Sequence, residues 1–332
     1  MTACAACLVA LLIVQAAPAD LDATLKEARA LVDRDQAAAA IEKLTALGEV
    51  SDPRVQALLG VASYHANQPR RAVELLLQAH DRLPADSVEQ REAEEVLGLT
   101  LPLVGRYADA IPWLERTRAR TPDNLELSFV LGQTYIQARQ PGPAREALAR
   151  TFSLPPDSAA AHVVVAQLMM RLQMESMAET ELGAALARDP KTPHANYLLG
   201  QIALFRGSFA EAVQYSSREL VLNPTDAMAF YQMGDAYTRQ SKWEEAVRAL
   251  QRSLWLNPYF SGPYILLGRS YLKLGQPSAA EAMLRRGIEY DPNNRTAHYL
   301  LGQVLQSMGR AEDAAREFAR AEQLQGQAGR PE

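Results

Sequence analysis

Apolar side chains recur along the chain in short segments, three and four positions apart. One such segment contains Met233, Tyr237, Trp243, Ala246, Val247, Leu250 and Leu254. This spacing places the apolar side chains on one face of an α-helix. A pair of short helices cannot bury such a face alone, whereas stacked neighbouring pairs can. The pattern therefore predicts an all-α chain of helix pairs that pack on one another.

The pattern has a period of 34 residues, and a fixed internal period is the mark of a repeat architecture. Prolines follow it at Pro122, Pro156, Pro190, Pro224, Pro258 and Pro292, with Pro84 one step earlier at a spacing of 38. Glycines follow it at Gly60, Gly98, Gly132, Gly200, Gly234, Gly268 and Gly302, and Ala166 replaces the glycine between Gly132 and Gly200. Twelve residues later in each repeat stand Ala72, Ala110, Ala144, Ala178, Ala212, Ala246, Ala280 and Ala314.

These residues predict two antiparallel helices in each repeat. Glycine and alanine allow the two helices to approach closely, and each proline ends the second helix. Between the helices most repeats have a residue type that accepts the left-handed conformation after a helix. The residues are Asn67, Gly105, Gly207, Gly275 and Gly309.

The motifs Gly234-Asp235-Ala236-Tyr237, Trp243-Glu244-Glu245-Ala246 and Asn257-Pro258 resemble the tetratricopeptide repeat. The resemblance implies a right-handed superhelical solenoid of antiparallel helix pairs. It places eight clear repeats at residues 53–86, 91–124, 125–158, 159–192, 193–226, 227–260, 261–294 and 295–326. A degenerate helical hairpin precedes them at residues 20–52, and a polar tail follows at 327–332.

The second repeat departs from the others. It follows a four-residue insertion, Ser87 to Gln90, and contains Pro102 within its predicted first helix. Proline inside a helix removes a backbone hydrogen bond and bends the helix. We therefore expect a kink or a seam in the array at this repeat.

Composition excludes several classes of protein. The chain is 48% hydrophobic and 22% charged, which fits a folded protein and not a disordered one. Thirty-four lysines and arginines against 39 acidic residues give a net charge of −5, and no long basic block is present. A nucleic-acid partner is therefore not expected.

Residues 1–19 resemble a signal peptide. An apolar stretch ends in Ala17-Pro18-Ala19, a small-x-small pattern after which cleavage would leave Asp20 first. The segment lacks a lysine or arginine before the apolar stretch, so an uncleaved membrane anchor is the alternative. Cys4 and Cys7 precede most of the apolar stretch, which argues against a lipid anchor, and no other residues complete a metal or redox site with them. The expected location is the periplasm or the extracellular space.

Motifs for chemistry are scarce. The chain has no glycine-rich phosphate loop, no His-Glu-x-x-His and no Gly-x-Ser-x-Gly. The histidines are His65, His80, His162, His194 and His298. Only His162 and His194 stand close enough to meet, and tight zinc sites need three or four ligands. We therefore expect surface or helix-cap histidines, no metal, no cofactor and no enzymatic activity; an enzyme remains an alternative only if a catalytic domain lies elsewhere in a longer protein.

In tetratricopeptide repeats the first helices line a concave groove, and the resemblance implies that positions two, five, nine, twelve and thirteen of each repeat face it. The fifth positions are apolar or aromatic from the third repeat onward, and amides dominate the ninth. The predicted binding residues are Phe129, Gln133, Gln167, Tyr197, Gln201, Tyr231, Arg239, Ile265, Arg269, Lys273, Tyr299 and Gln303. Amides pair with a peptide backbone and aromatic rings supply contact area. The competing interpretation is that the fifth-position residues only fill space between first helices.

The sequence thus predicts a non-enzymatic scaffold that binds a peptide segment or a folded partner in its groove, in a cell-envelope assembly. Arg239, Arg269 and Lys273 are suited to receive a carboxylate, although the lysine and asparagine of the carboxylate clamp that grips chaperone C-termini are missing. The alternative is an exported scaffold of a polysaccharide export or modification system, with direct or indirect glycan contact. A membrane would be contacted only through an uncleaved N-terminal segment, and the polar outer face of the last repeat favours a monomer over self-association.

Overall fold

The computed structural model describes residues 18–48 and 51–328, and within these ranges it is α-helical with short connections and no β-strand. Most of the predicted signal peptide, with Cys4 and Cys7, lies outside the described residues, as does the end of the polar tail. The chain divides into two compact units, Met1–Pro156 and Asp157–Glu332. No helix among the described residues has both the length and the apolar character needed to cross a bilayer.

The described residues of the first unit form four helix pairs. Within the unit, each helix packs against its pair partner, each pair packs against the next, and α1, α3 and α5 also contact one another in sequence. The helices are α1 (Pro18–Asp33), α2 (Ala37–Thr45), α3 (Pro53–His65), α4 (Pro69–His80), α5 (Val88–Thr100), α6 (Tyr107–Arg120), α7 (Leu125–Gln137) and α8 (Pro141–Thr151).

The second unit contains five helix pairs, packed in the same way. Its first helices α11, α13, α15 and α17 contact one another in order, so their side chains form adjoining rows. The helices are α9 (Ala159–Arg171), α10 (Glu175–Arg188), α11 (Ala195–Phe205), α12 (Phe209–Leu222), α13 (Ala227–Arg239), α14 (Trp243–Leu256), α15 (Ser261–Lys273), α16 (Pro277–Tyr290), α17 (Arg295–Ser307) and α18 (Ala311–Ala328).

Each first helix ends in a left-handed residue, as predicted at Asn67 and at the four glycines, whose φ angles lie between 56° and 78°. The next residue donates its backbone N–H to a carbonyl five residues back, for example Lys242 to Tyr237 at 2.9 Å. This is the Schellman arrangement, which satisfies carbonyls that a helix end leaves free. The same position is left-handed in the remaining repeats, at Asp35, Arg139, Gln173 and Ser241. Residue type alone did not reveal these four.

Close approach explains the glycine and alanine positions. A Cβ atom placed on Gly234 would lie 2.5 Å from Cγ of Leu250 in the second helix of the same pair. Gly60 meets Leu76 in the same way, and Gly132 meets Leu148. The alanines that follow twelve residues later are buried in every repeat. The structure therefore confirms that small residues mark the crossing point of the two helices.

The second repeat differs from the prediction. Its first helix begins at Val88 and not at Arg91, because the Ser87 hydroxyl accepts a hydrogen bond from Gln90 N at 3.2 Å and caps the helix. Pro102 does not kink this helix, which ends at Thr100 before a short 3-10 helix, Pro102–Val104. The boundary between the compact units lies elsewhere, at residues 156 and 157.

Three histidines are buried, contrary to the expected surface or cap positions. Each contacts a glutamate, and the pairs are His80 with Glu94, His162 with Glu181 and His298 with Glu317. In the last two pairs the fourth residue of the first helix contacts the seventh residue of the second helix. Burial acts to raise the pKa of Glu94, but hydrogen bonds from Arg120, His80 and Arg116 outweigh it and hold that pKa below its ordinary value.

Gly234→Ala should destabilise the protein by roughly 1–3 kcal/mol, because the new methyl group overpacks the contact with Leu250. The matched control is Gly183→Ala in α10, where nothing lies within 4 Å of the new Cβ. That change should stabilise by up to about 1 kcal/mol through helix propensity. Urea unfolding followed by circular dichroism measures both. Equal shifts of the two unfolding midpoints would contradict the crossing-point account.

Candidate functional site

Ten of the twelve predicted binding residues lie on the first helices of the second unit. The other two, Phe129 and Gln133, lie on α7 of the first unit and are half-buried, and the Phe129 ring contacts the exposed Phe152 ring edge-on at 6.4 Å between centroids. We call a set of exposed and half-exposed side chains on α9, α11, α13, α15 and α17 the first-helix face. Its members are Gln167, Arg171, Tyr197, Gln201, Phe205, Tyr231, Arg239, Arg269, Lys273, Tyr299 and Gln303.

Two predicted amides meet where α9 and α11 adjoin. Gln167 and Gln201 line an open depression of about 420 Å³, together with Arg171 and apolar neighbours. The Gln201 amide donates to the Tyr197 hydroxyl at 3.0 Å, which orients both side chains. An amide fixed in this way still offers hydrogen-bonding capacity to a peptide backbone. The depression is therefore a candidate contact point for a partner.

Tyr197 and Tyr231 both fill space and retain exposed area. The Tyr231 ring contacts Phe260 edge-on at 5.3 Å between ring centroids, and both tyrosines are half-buried. Burial, with a smaller contribution from Asp226, raises the pKa of Tyr197, and burial with Asp235 raises that of Tyr231. The competing interpretation of these aromatics as packing residues is thus correct for part of each ring.

Ile265 does not belong to the face. It is 7% exposed and lies in a core cluster with Leu284 and Leu301. Its fifth-position side chain is shorter than the tyrosines in the same row and ends inside the hairpin. Burial leaves Ile265 little surface to offer a partner, so we do not count it among the exposed members of the face.

Three cations lie on neighbouring first helices. The Arg239 guanidinium donates to Asp235 at 2.9 Å, an i,i+4 surface pair, and also lies over the Phe209 ring at 5.7 Å. Arg269 and Lys273 are exposed, stand four residues apart on α15, and have no ion-pair partner within the described part of the chain. Residues with this spacing lie on the same side of a helix. These two charges are available to an incoming carboxylate.

The last predicted pair lies on α17. Tyr299 and Gln303 line a depression of about 460 Å³ with Gln306 and the Phe318 ring. The Tyr299 and Phe318 centroids are 5.6 Å apart, and about half of Tyr299 is exposed. An aromatic ring beside amide groups provides both contact area and hydrogen bonds.

Reasoning from the sequence missed two members of the face, Arg171 and Phe205. Phe205 is 78% exposed at the end of α11. Both occupy the thirteenth position of their repeats, the row that also holds Arg239 and Lys273. Reading that row along the chain would have identified them, because an exposed phenylalanine between cations at one repeat position does not fit a packing role.

A group of possible metal ligands lies beside the face. Ligand atoms of His194, Glu219 and Asp226 all lie within 4.8 Å of one another, without His162. Glu219 accepts from His194 N at 3.1 Å and from Tyr197 N at 3.3 Å, and Asp226 caps the start of α13. Carboxylates at helix N-termini stabilise the positive ends of the helix dipoles. Helix capping therefore accounts for both carboxylates.

Family models match most of the repeat region. Two models described as tetratricopeptide repeat match residues 104–173 and 265–329. Between them, the model described as anaphase-promoting complex, cyclosome, subunit 3 matches residues 174–253. Among curated proteins, none matches the chain.

Similar solved structures are distant. MamA from Desulfovibrio magneticus RS-1 is 21% identical, with 52% of this chain and 98% of that chain covered and a TM-score of 0.48. YrrB, described as a TPR protein with an unusual peptide-binding site, is 20% identical over 55% and 94%, with a TM-score of 0.47. The Cut9-Hcn1 hetero-tetramer of APC/C is 17% identical over 86% and 55%, with a TM-score of 0.46. Such distant likenesses say nothing about the partner of this chain.

Tyr197 should ionise above the ordinary phenol pKa of 10.0. A raised pKa means that folding favours the neutral phenol, so its contribution to stability is full below pH 10 and is lost as the pH rises through the raised value. Tyrosinate absorbance of the protein and of Tyr197→Phe measures this. The part of the tyrosinate absorbance that is missing in Tyr197→Phe should appear above pH 10 in the titration of the unaltered protein. Its appearance at or below pH 10 would show that Tyr197 is not buried as described.

Proposed function

We propose that this tetratricopeptide repeat protein is a non-enzymatic scaffold that binds a partner protein along the first-helix face of its second unit. The observation that carries the proposal is the pair of unpartnered cations on α15, Arg269 and Lys273, beside rows of amides and exposed aromatic rings. Carboxylates pair with such cations, and charge-assisted hydrogen bonds are stronger than neutral ones.

The chemistry of the face favours an extended segment or a surface of a partner that carries both acidic and apolar side chains. Gln167, Gln201 and Gln303 can donate to and accept from a peptide backbone. Phe205 and Tyr299 offer exposed rings, and aromatic residues are common anchors at protein interfaces. The face spans five successive first helices, which gives a long partner several separate contacts.

We also propose that the protein is exported and acts in an assembly of the cell envelope. The support is the sequence of residues 1–19, which fits a signal peptide. Helix α1 begins at Pro18, so cleavage after Ala19 would remove only its first two residues. Mass spectrometry of the protein from its native host should find Asp20 as the first residue. A first residue at Met1 in a membrane fraction would instead support the anchored alternative.

Reversing both free charges, with Arg269→Glu and Lys273→Glu, should weaken partner binding at least about tenfold, a free-energy change of about 1.4 kcal/mol. The matched control is Lys191→Glu, which reverses an exposed charge in the loop before α11. The partner is first captured from the native envelope with the unaltered protein and identified by mass spectrometry, and it is then titrated against each variant by calorimetry. Circular dichroism checks that all the variants remain folded.

Equal affinities of the double variant and the control would remove the first-helix face as the binding surface. A role in a polysaccharide system makes a different prediction, namely that the protein binds sugars directly. Titration with envelope glycans tests that form of the role, and an absence of heat change would exclude it. If the double variant still binds glycans, the glycans do not share the α15 site with the partner protein.

A further inference from the structure

The hairpin formed by α11 and α12 buries polar groups where the other hairpins bury apolar ones. Ser216 stands at the repeat position that holds Leu182 and Leu250 in the neighbouring hairpins, and its hydroxyl donates to the Gln232 side chain at 2.9 Å. The Gln232 amide in turn donates to the Tyr197 carbonyl at 3.1 Å. These polar groups satisfy one another through hydrogen bonds, which compensates for the apolar contacts that the hairpin lacks.

One buried group in the hairpin has no such compensation. Asn196, near the start of α11, is 3% exposed, and its Oδ1 atom has no hydrogen-bond partner. A buried amide oxygen without a partner destabilises the folded state, and native proteins contain few of them. A binding role accounts for its retention, because a ligand can satisfy an amide that the fold leaves unsatisfied.

Asn196 lines an open depression of about 360 Å³ at the end of the hairpins, where α10 and α12 finish and α11 begins. The lining residues, which we call the hairpin-end pocket, are Leu186, Pro190, Asn196, Arg218, Val221 and Leu222. Four of them are apolar, one is an amide and one is a cation, and this lining contains no carboxylate. Asn196 and Tyr197 are consecutive on a helix, so the pocket and the first-helix face point in different directions.

Arg218 gives the pocket its charge. Its guanidinium lies over the Tyr215 ring at 5.4 Å and has no carboxylate partner among the described residues. The adjacent Glu219 is buried and engaged with the backbone N–H groups at the start of α11. The guanidinium therefore keeps its donors for an outside acceptor, and arginine binds carboxylates with two parallel hydrogen bonds.

The next hairpin extends the same surface. Arg252 and Trp255 on α14 occupy the repeat positions of Arg218 and Val221 on α12. The Arg252 guanidinium lies 4.1 Å from the centroid of the Trp255 ring, and that tryptophan is 70% exposed. Tyr259, 78% exposed, follows in the loop. Tryptophan, tyrosine and arginine are the residue types that dominate binding energy at protein interfaces.

We propose that the hairpin-end pocket binds an acidic peptide segment of a second partner protein. An apolar side chain of the segment sits among Leu186, Pro190 and Leu222, its carboxylates pair with Arg218 and Arg252, and a backbone group bonds to Asn196. The occupant is acidic because neither guanidinium has a carboxylate partner among the described residues. This site is separate from the first-helix face, so the scaffold holds two partners at once.

Selection from a library of random 12-residue peptides displayed on phage tests the proposal. Peptides that bind the unaltered protein, after removal of those that also bind Arg218→Glu, should be enriched in aspartate and glutamate around one leucine or aromatic residue. Fluorescence anisotropy with the selected peptides should show at least tenfold weaker binding to Arg218→Glu and unchanged binding to Arg269→Glu. The unchanged binding to Arg269→Glu separates this site from the first-helix face. If the first-helix face proves not to bind a partner, the expected results for the selected peptides stay the same.

Asn196→Leu adds a readout that a purely structural role would not produce. Leucine has nearly the same shape and removes the unsatisfied amide, so the urea midpoint should rise or stay the same while peptide affinity falls. Selected peptides without acidic enrichment would overturn the proposal. So would anisotropy that Arg218→Glu leaves unchanged, or peptide binding that depends on Arg269.

Discussion

The close crossing of two helices within each hairpin is the contact on which the rest of the structure depends. In six hairpins a glycine on the first helix meets a leucine or phenylalanine on the second, and the gap is too small for a Cβ atom; Gly200 meets the Gln232 side chain instead. Because the backbones come this close, the buried alanine twelve residues after the glycine must also be small. Helices this short gain most of their stability from such packing and little from intrinsic propensity.

The left-handed residue between the two helices fixes the direction of the second helix. Its backbone conformation costs little for glycine or asparagine and more for Arg139, Gln173 or Ser241, yet all of them adopt it. The Schellman hydrogen bonds and the packing of the hairpin offset that cost. In every described repeat the second helix begins two residues after the left-handed residue. This constant link keeps the first helices in register and places positions nine and thirteen of the second unit in exposed or half-exposed rows.

The repeat period predicted the architecture well, because it reflects contacts that every hairpin shares. Departures from the period were harder to interpret. Pro102 ends a helix where a kink was expected, and Ile265 is buried because its short side chain does not reach the surface. The His162–Glu181 and His298–Glu317 pairs join residues 19 apart, a relation visible only once the two helices are placed side by side. Phe205 could have been predicted from the sequence, because the thirteenth positions of the next two repeats, Arg239 and Lys273, were already predicted to face the groove.

Photo-crosslinking in the native host tests the central claim, that a partner protein lies on the first-helix face. The photoreactive amino acid p-benzoylphenylalanine would replace Phe205, and in a control it would replace Phe152, an exposed phenylalanine of the first unit. The account predicts a covalent adduct with a partner protein from position 205 and much less from position 152. Adduct from position 152 with none from position 205 would contradict it.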